Sequence, residues 1–138
     1  MTTKEVVELL GGPDVLADIE SHRGIIEALR RGFPHAVVDA VLRTTQVDPR
    51  AFWDAFGATP EDVSETPILS KEQSEFLLNV ARAYYAAVEV FEDNTAASKW
   101  LVTACQPLDD VPLYLLDTTV GYEAVADEIA RISHGVLG

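Results

Sequence analysis

The chain has 138 residues, enough for one compact domain or two very small ones. With 48% hydrophobic and 24% charged residues it is neither a disordered tail nor a fibrous repeat. A net charge of -13, from 23 acids against 10 Lys and Arg, excludes any general attraction for nucleic acid or anionic membrane and favours a basic partner surface.

Helix signals then follow one another along the chain. Thr2-Thr3-Lys4-Glu5 predicts a capping box ahead of Val6, Val7, Leu9 and Leu10, with Gly11-Gly12 as the stop. Pro13 predicts a next helix with Val15, Leu16 and Ile19 on its apolar side. Gly24 to Arg31 carries Ile25, Ile26 and Leu29 and stops at Gly32. Pro34 opens a helix with Val37, Val38, Val41 and Leu42 inward. Asp48-Pro49 is an N-cap followed by proline, with Phe52, Trp53 and Phe56 before Gly57. Thr59-Pro60-Glu61-Asp62 starts a short helix ending near Thr66-Pro67.

Ser70-Lys71-Glu72-Gln73 is a second capping box and opens the longest periodic run. Phe76, Leu77, Val80, Ala83, Tyr84, Ala87, Val88 and Phe91 form one wide apolar stripe on it. Asn94 or Thr95 caps a short helix with Trp100, Leu101 and Val102. Pro107 breaks the chain, and Pro112 starts a turn with Leu113, Leu115 and Leu116. Thr118 or Thr119 caps a last helix with Val120, Val125, Ile129 and Ile132 inward and Gly135 at its end. No alternating segment is long enough for a strand, so the fold class is all-α. The best boundary is Thr66-Pro67, giving domains 1–67 and 68–138. Residues 1–67 hold 6 bases and 12 acids and residues 68–138 hold 4 and 11, so neither is a basic arm.

Catalytic chemistry finds little support. His22, His35 and His134 lie far apart, whereas a zinc site needs three or four convergent ligands, so no metal is expected. Cys105 is the single cysteine, beyond reach of an intrachain disulfide, and has no local base to make it a thiolate. The pairs Glu61-Asp62, Glu92-Asp93 and Asp109-Asp110 suit helix caps and solvated surface. The chain is expected to be no enzyme and to need no cofactor. The Met1 start shows no basic region followed by an apolar run, and no stretch approaches the roughly 20 residues of a membrane span, so a cytoplasmic protein without membrane contact is expected.

Residues 49–66 have the outline of a helix-turn-helix, with Gly57 in the turn and Val63 six residues later, although Trp53 stands where a small residue usually sits. The would-be recognition helix, Pro60 to Glu65, carries three acids and no base. It would be repelled by phosphates and offers no Arg, Lys, Asn or Gln to base edges. The one locally basic stretch, residues 22–50, holds five arginines against three acids, and Arg43 and Arg50 are its candidate DNA contacts.

The second half carries a more specific pattern. Leu69-Ser70-Lys71-Glu72-Gln73-Ser74 opens the long helix, which closes on Val90-Phe91. Ala96-Ala97, Lys99-Trp100-Leu101, Leu108 and Pro112-Leu113-Tyr114-Leu115-Leu116-Asp117-Thr118 follow. Gly121, Val125 and Arg131-Ile132-Ser133-His134-Gly135-Val136 complete it. In this order, residues 69–138 closely resemble the toxin-binding domain of the Xre/MbcA/ParS antitoxins. The first half resembles, more weakly, the Xre-like helix-turn-helix domain that precedes it there.

The resemblance implies an antitoxin that neutralises a RES-domain, NAD-degrading toxin by covering its cleft, with Trp100, Pro112, Leu113, Asp117, Arg131, His134 and Gly135 as toxin-binding candidates. Glu61, Asp62 and Glu65 depart from the usual basic recognition region and weigh against DNA as a partner. Asp109-Asp110-Val111 replaces the usual glycine-rich, basic lead into the proline-leucine motif, a change that suits a basic toxin cleft. An apolar patch left by so small a core also predicts a homodimer. The competing functions are a DNA-binding autorepressor of the helix-turn-helix type and a non-catalytic interaction module of the same fold.

Overall fold

A computed structural model of the chain describes residues 2–16, 19 and 21–137. Among them are eight α-helices: α1 (Thr3–Leu9), α2 (His22–Arg31), α3 (Ala36–Thr45), α4 (Pro49–Phe56), α5 (Pro60–Ser64), α6 (Lys71–Phe91), α7 (Asn94–Leu101) and α8 (Thr119–Leu137). Two 3-10 turns, Gln106–Leu108 and Pro112–Leu115, join α7 to α8. The all-α class read from the sequence holds.

Helix starts follow the expected chemistry. Thr2, Ser21, Asp48, Thr59 and Ser70 each accept a first-turn backbone N–H through the side chain. Ser70 and Gln73 complete a reciprocal capping box, with the Ser70 N–H donating to Gln73 Oε1 at 2.9 Å. The differences are local. Asp93, one residue earlier than expected, caps α7. His35 rather than Pro34 precedes α3. Residues 13–16 form turns and a bend where a helix is predicted, with the Gly12 carbonyl accepting from both Val15 and Leu16. Ala17, Asp18 and Glu20, which that helix would include, lie outside the described residues. α8 continues through Gly135 instead of ending there.

α6 is the axis of the fold. Phe76, Leu77, Leu78, Val80, Ala81, Ala83, Tyr84 and Ala87 are buried along it, covering most of its circumference. It packs against α1, α2 and α3 from the first half and α7 and α8 from the second. Two buried polar side chains tie other segments to it. Ser74 Oγ accepts from the Phe33 N–H at 2.8 Å, and Asn79 Nδ2 donates to the Leu116 carbonyl at 2.9 Å. An aromatic cluster joins α4 to α6: the Phe52 ring lies 5.5 Å from Phe56 and 5.9 Å from Phe76. The buried apolar core is therefore continuous across Thr66 and Pro67. At that point the Leu69 N–H donates to the Phe33 carbonyl and the His35 N–H to the Pro67 carbonyl.

Two glycines have opposite reasons for being there. A Cβ on Gly121 would stand 1.8 Å from the Leu115 carbonyl oxygen, so the first turn of α8 can lie on the preceding turn only without a side chain. A Cβ on Gly135 would meet nothing within 4 Å. Gly121→Ala is expected to destabilise the fold by about 3 kcal/mol, the upper end of overpacking costs. Gly135→Ala is expected to be neutral or to stabilise by up to ~1 kcal/mol through helix propensity. Urea denaturation of both variants checks the contrast.

Candidate functional site

The segment from α7 to α8 is built by alternating buried and exposed side chains. Leu101 anchors α7 in the core, and Trp100 beside it is half-buried with its ring 6.1 Å from Phe91. The chain then loops back on itself: the Cys105 N–H donates to the Asp110 carbonyl at 2.9 Å, with Asp109 in the left-handed region at φ 56°. In the next turn Pro112, Leu113 and Leu116 point inward, while Tyr114 and Asp117 point outward. α8 begins at once, its Gly121 N–H donating to Thr118 Oγ1. Val125 and Ile129 pack inward, and the Arg82 guanidinium from α6 lies 4.3 Å from the centre of the Tyr122 ring.

The candidates read from the sequence separate accordingly. Asp117, Arg131, His134 and Gly135 are exposed, and Trp100 is half-exposed. Pro112 and Leu113, also among the toxin-binding candidates, are buried, Leu113 to 0% exposure, and shape the turn from below. Val120 is corrected from core to surface. Predicted inward, it is 76% exposed, because it precedes Val125 by five residues and so lies about 140° round the helix from it. That phase was readable from the sequence. Tyr114, Asp117, Thr118, Thr119 and Val120 are exposed at the junction of the turn and α8, Tyr114 and Val120 being its large exposed side chains.

Arg131 is exposed but engaged. Its Nε lies 2.9 Å from Glu128 Oε2 and 3.1 Å from Oε1, and Nη2 also donates to Oε1. Glu128 itself is buried. The sequence reading missed this residue, although the i, i+3 spacing to Arg131 was available.

The features read as a helix-turn-helix give less. α4 and α5 are joined through Gly57 in the left-handed region at φ 77°, as expected, but α5 is only five residues long. Asp62 is occupied by the α5 capping box, and Glu61, Asp62 and Glu65 are all exposed. Arg43 and Arg50 are exposed at the end of α3 and the start of α4. His35 is part-buried, its Nδ1 2.9 Å from the Val63 carbonyl, while His22 and His134 are exposed. Among the described residues no group of three His, Cys, Asp or Glu side chains is placed to hold a metal, and no helix is long and apolar enough to cross a membrane. Among the described residues the surface also has clefts, one remote from this segment and one reaching α7. One of about 470 Å³ lies between α1, α2 and α6 and includes Ile25, Ile26, Leu29 and Leu78. A polar one of about 310 Å³ includes Thr44, Tyr84, Asn94 and Ser98.

The ion pair on α8 carries a pH dependence. Hydrogen bonds from Arg131 hold the Glu128 carboxyl below the usual carboxylate range, against the upward push of burial. The carboxyl is thus more acidic folded than unfolded, so the pair stabilises the fold at neutral pH. That contribution is lost as pH falls through the unfolded value towards the lower folded one. Glu128→Gln is expected to lose stability at neutral pH and to show a shallower fall below about pH 5. Urea midpoints measured across this range test it.

Comparison with known proteins bears on the same segment. No curated protein matches the chain. The family described as the antitoxin Xre/MbcA/ParS C-terminal toxin-binding domain matches residues 86–135, from the last turns of α6 to near the end of α8. The match is shorter than the resemblance over residues 69–138, and leaves the first turns of α6 outside. It includes Trp100, the Cys105–Asp110 loop, the Pro112–Asp117 turn and the Glu128–Arg131 pair, so this segment of the chain is similar to the toxin-binding domain of the Xre/MbcA/ParS antitoxins.

Proposed function

We propose that this protein is the antitoxin of a type II toxin–antitoxin pair, and that it neutralises a RES-domain toxin that degrades NAD by covering the toxin's active-site cleft. The observation that carries this reading is the toxin-binding domain matched over residues 86–135. Its surface supports it: Tyr114, Asp117 and Val120 stand out at the start of α8, and His134 and Gly135 near its end. The net charge of -13 suits a partner whose cleft is basic enough to hold a dinucleotide's phosphates. In this reading residues 68–138 bind the toxin, residues 1–67 are an Xre-like domain, and the protein works in the cytoplasm as a homodimer.

The direct test is co-purification with the product of the neighbouring gene, followed by an NAD-depletion assay with and without this protein. Removing Ser133 to Gly138 sharpens it. Ser133 is half-buried and His134 and Gly135 are exposed, so the loss of these three costs the core little, while the side chains of Val136 and Leu137, and Gly138, lie outside what the structure describes. The truncated protein is expected to keep its helical circular dichroism and to lose protection against NAD depletion. A folded truncation that still protects would move the inhibitory contact to Trp100 and the Tyr114–Val120 corner.

DNA autorepression is the weaker reading, given a short α5 whose Glu61, Asp62 and Glu65 face solvent. The isolated protein is expected to show no nanomolar complex with its own promoter at physiological salt in a mobility-shift assay. Should a complex form, Arg43→Glu and Arg50→Glu are expected to weaken it on every sequence alike.

A further inference from the structure

Glu128 is the one charged side chain among the described residues that the fold buries. It follows Val125 and precedes Ile129, both core residues, so the phase of α8 turns it inward. The pair it makes with Arg131 is lopsided: the glutamate side chain is 7% exposed and the arginine side chain 64%. A buried carboxylate needs a counter-charge. Here that counter-charge is a long side chain standing mostly in water, laid over the carboxylate from three residues along the same helix. Its Nε and Nη2 both reach the carboxylate, the fork by which any guanidinium grips that group. The guanidinium comes from the solvent side, so a second one can take its place by the same route. Glu123 and Asp127, exposed on the same helix, lower the local potential for an arriving cation.

Resting on the reading that this domain binds a toxin, we propose that Glu128 is the acceptor for an arginine of the toxin, and that Arg131 occupies its place until the complex forms. On association the partner's guanidinium takes the carboxylate and Arg131 returns to water. The sign of the Arg131 contribution then reverses the usual expectation for an interface arginine. Arg131 competes with the toxin, so removing it raises affinity, whereas removing the Glu128 charge lowers it.

The test is calorimetric titration of the full-length protein into the catalytically inactivated RES-domain product of the neighbouring gene, at several salt concentrations. Glu128→Gln is expected to weaken binding about tenfold and to flatten its salt dependence. Arg131→Met is expected to tighten it about threefold or more. Arg131→Lys, which keeps the charge but loses the fork, is expected to fall between wild type and Arg131→Met. Circular dichroism melts establish that each variant is folded, and if Arg131→Met is not, Arg131→Lys decides alone. Weaker binding by the arginine variants would overturn the inference and make Arg131 a toxin contact. Changes under twofold for both Glu128→Gln and Arg131→Met would also overturn it and leave the pair a purely internal one. In either case wild-type binding would leave the antitoxin reading standing. Absence of any wild-type complex would instead remove that reading, and this inference with it.

Discussion

Ser74 and Asn79 lie on a helix otherwise lined by apolar side chains, and each must satisfy its polar atoms away from water. Ser74 does so on the backbone N–H of Phe33, and Asn79 on the carbonyl of Leu116. One helix thereby takes hold of two segments far away in sequence, the strand-like stretch after α2 and the turn that leads into α8. The rest of the fold is arranged around these attachments. Gly32, with φ 88°, brings its backbone against the Leu69 carbonyl where a Cβ would stand 2.1 Å away, so that Phe33 can reach Ser74. Gly121 lets α8 lie on the turn that Asn79 holds.

The consequence for the segment similar to the toxin-binding domain is a surface displayed by a rigid underside. Leu101, Leu113 and Leu116 are fully buried, and Asn79 fixes the backbone between Leu116 and Asp117. Tyr114 and Asp117 are therefore offered outward from a turn with little freedom to move. Presenting a few side chains from a preorganised backbone limits the entropy lost on association. The residues that a family pattern makes most visible, Pro112 and Leu113, act from underneath, and the exposed Tyr114 and Asp117 follow them in the chain.

Most helix starts were legible in the sequence because N-caps are local chemistry: a hydroxyl or carboxylate, a free N–H two or three residues on, and an apolar stripe behind. Helix ends were less so. Gln46, Glu92 and Asp109 adopt left-handed conformations where glycine is the usual signal, and only the surrounding packing selects them. Of the helix predicted from Pro13, the described residues 13–16 form turns and a bend. In the candidate site, Asp117, His134 and Gly135 are exposed. Whether Leu113 or Tyr114 faces out depends on a 3-10 turn whose phase no simple periodicity gives. The burial of Glu128 was hidden for a similar reason. A charged residue at an inward phase is normally read as an error of phase, and only its pairing with Arg131 makes the position tolerable.

The attachment of Phe33 to Ser74 also bears on how the chain is made. α1, α2 and α3 leave the ribosome before the helix they pack on exists. Between the synthesis of Thr45 and that of Phe91 roughly two to nine seconds pass at about 5–20 residues per second. During that interval Val37, Val38 and Val41 have no α6 to cover them, and the Phe33 N–H has no hydroxyl to accept it. The first half therefore reaches its final packing only after the second half has begun to form. A released chain ending before Ser70 would present those valines to whatever else is in reach, chaperone or neighbour.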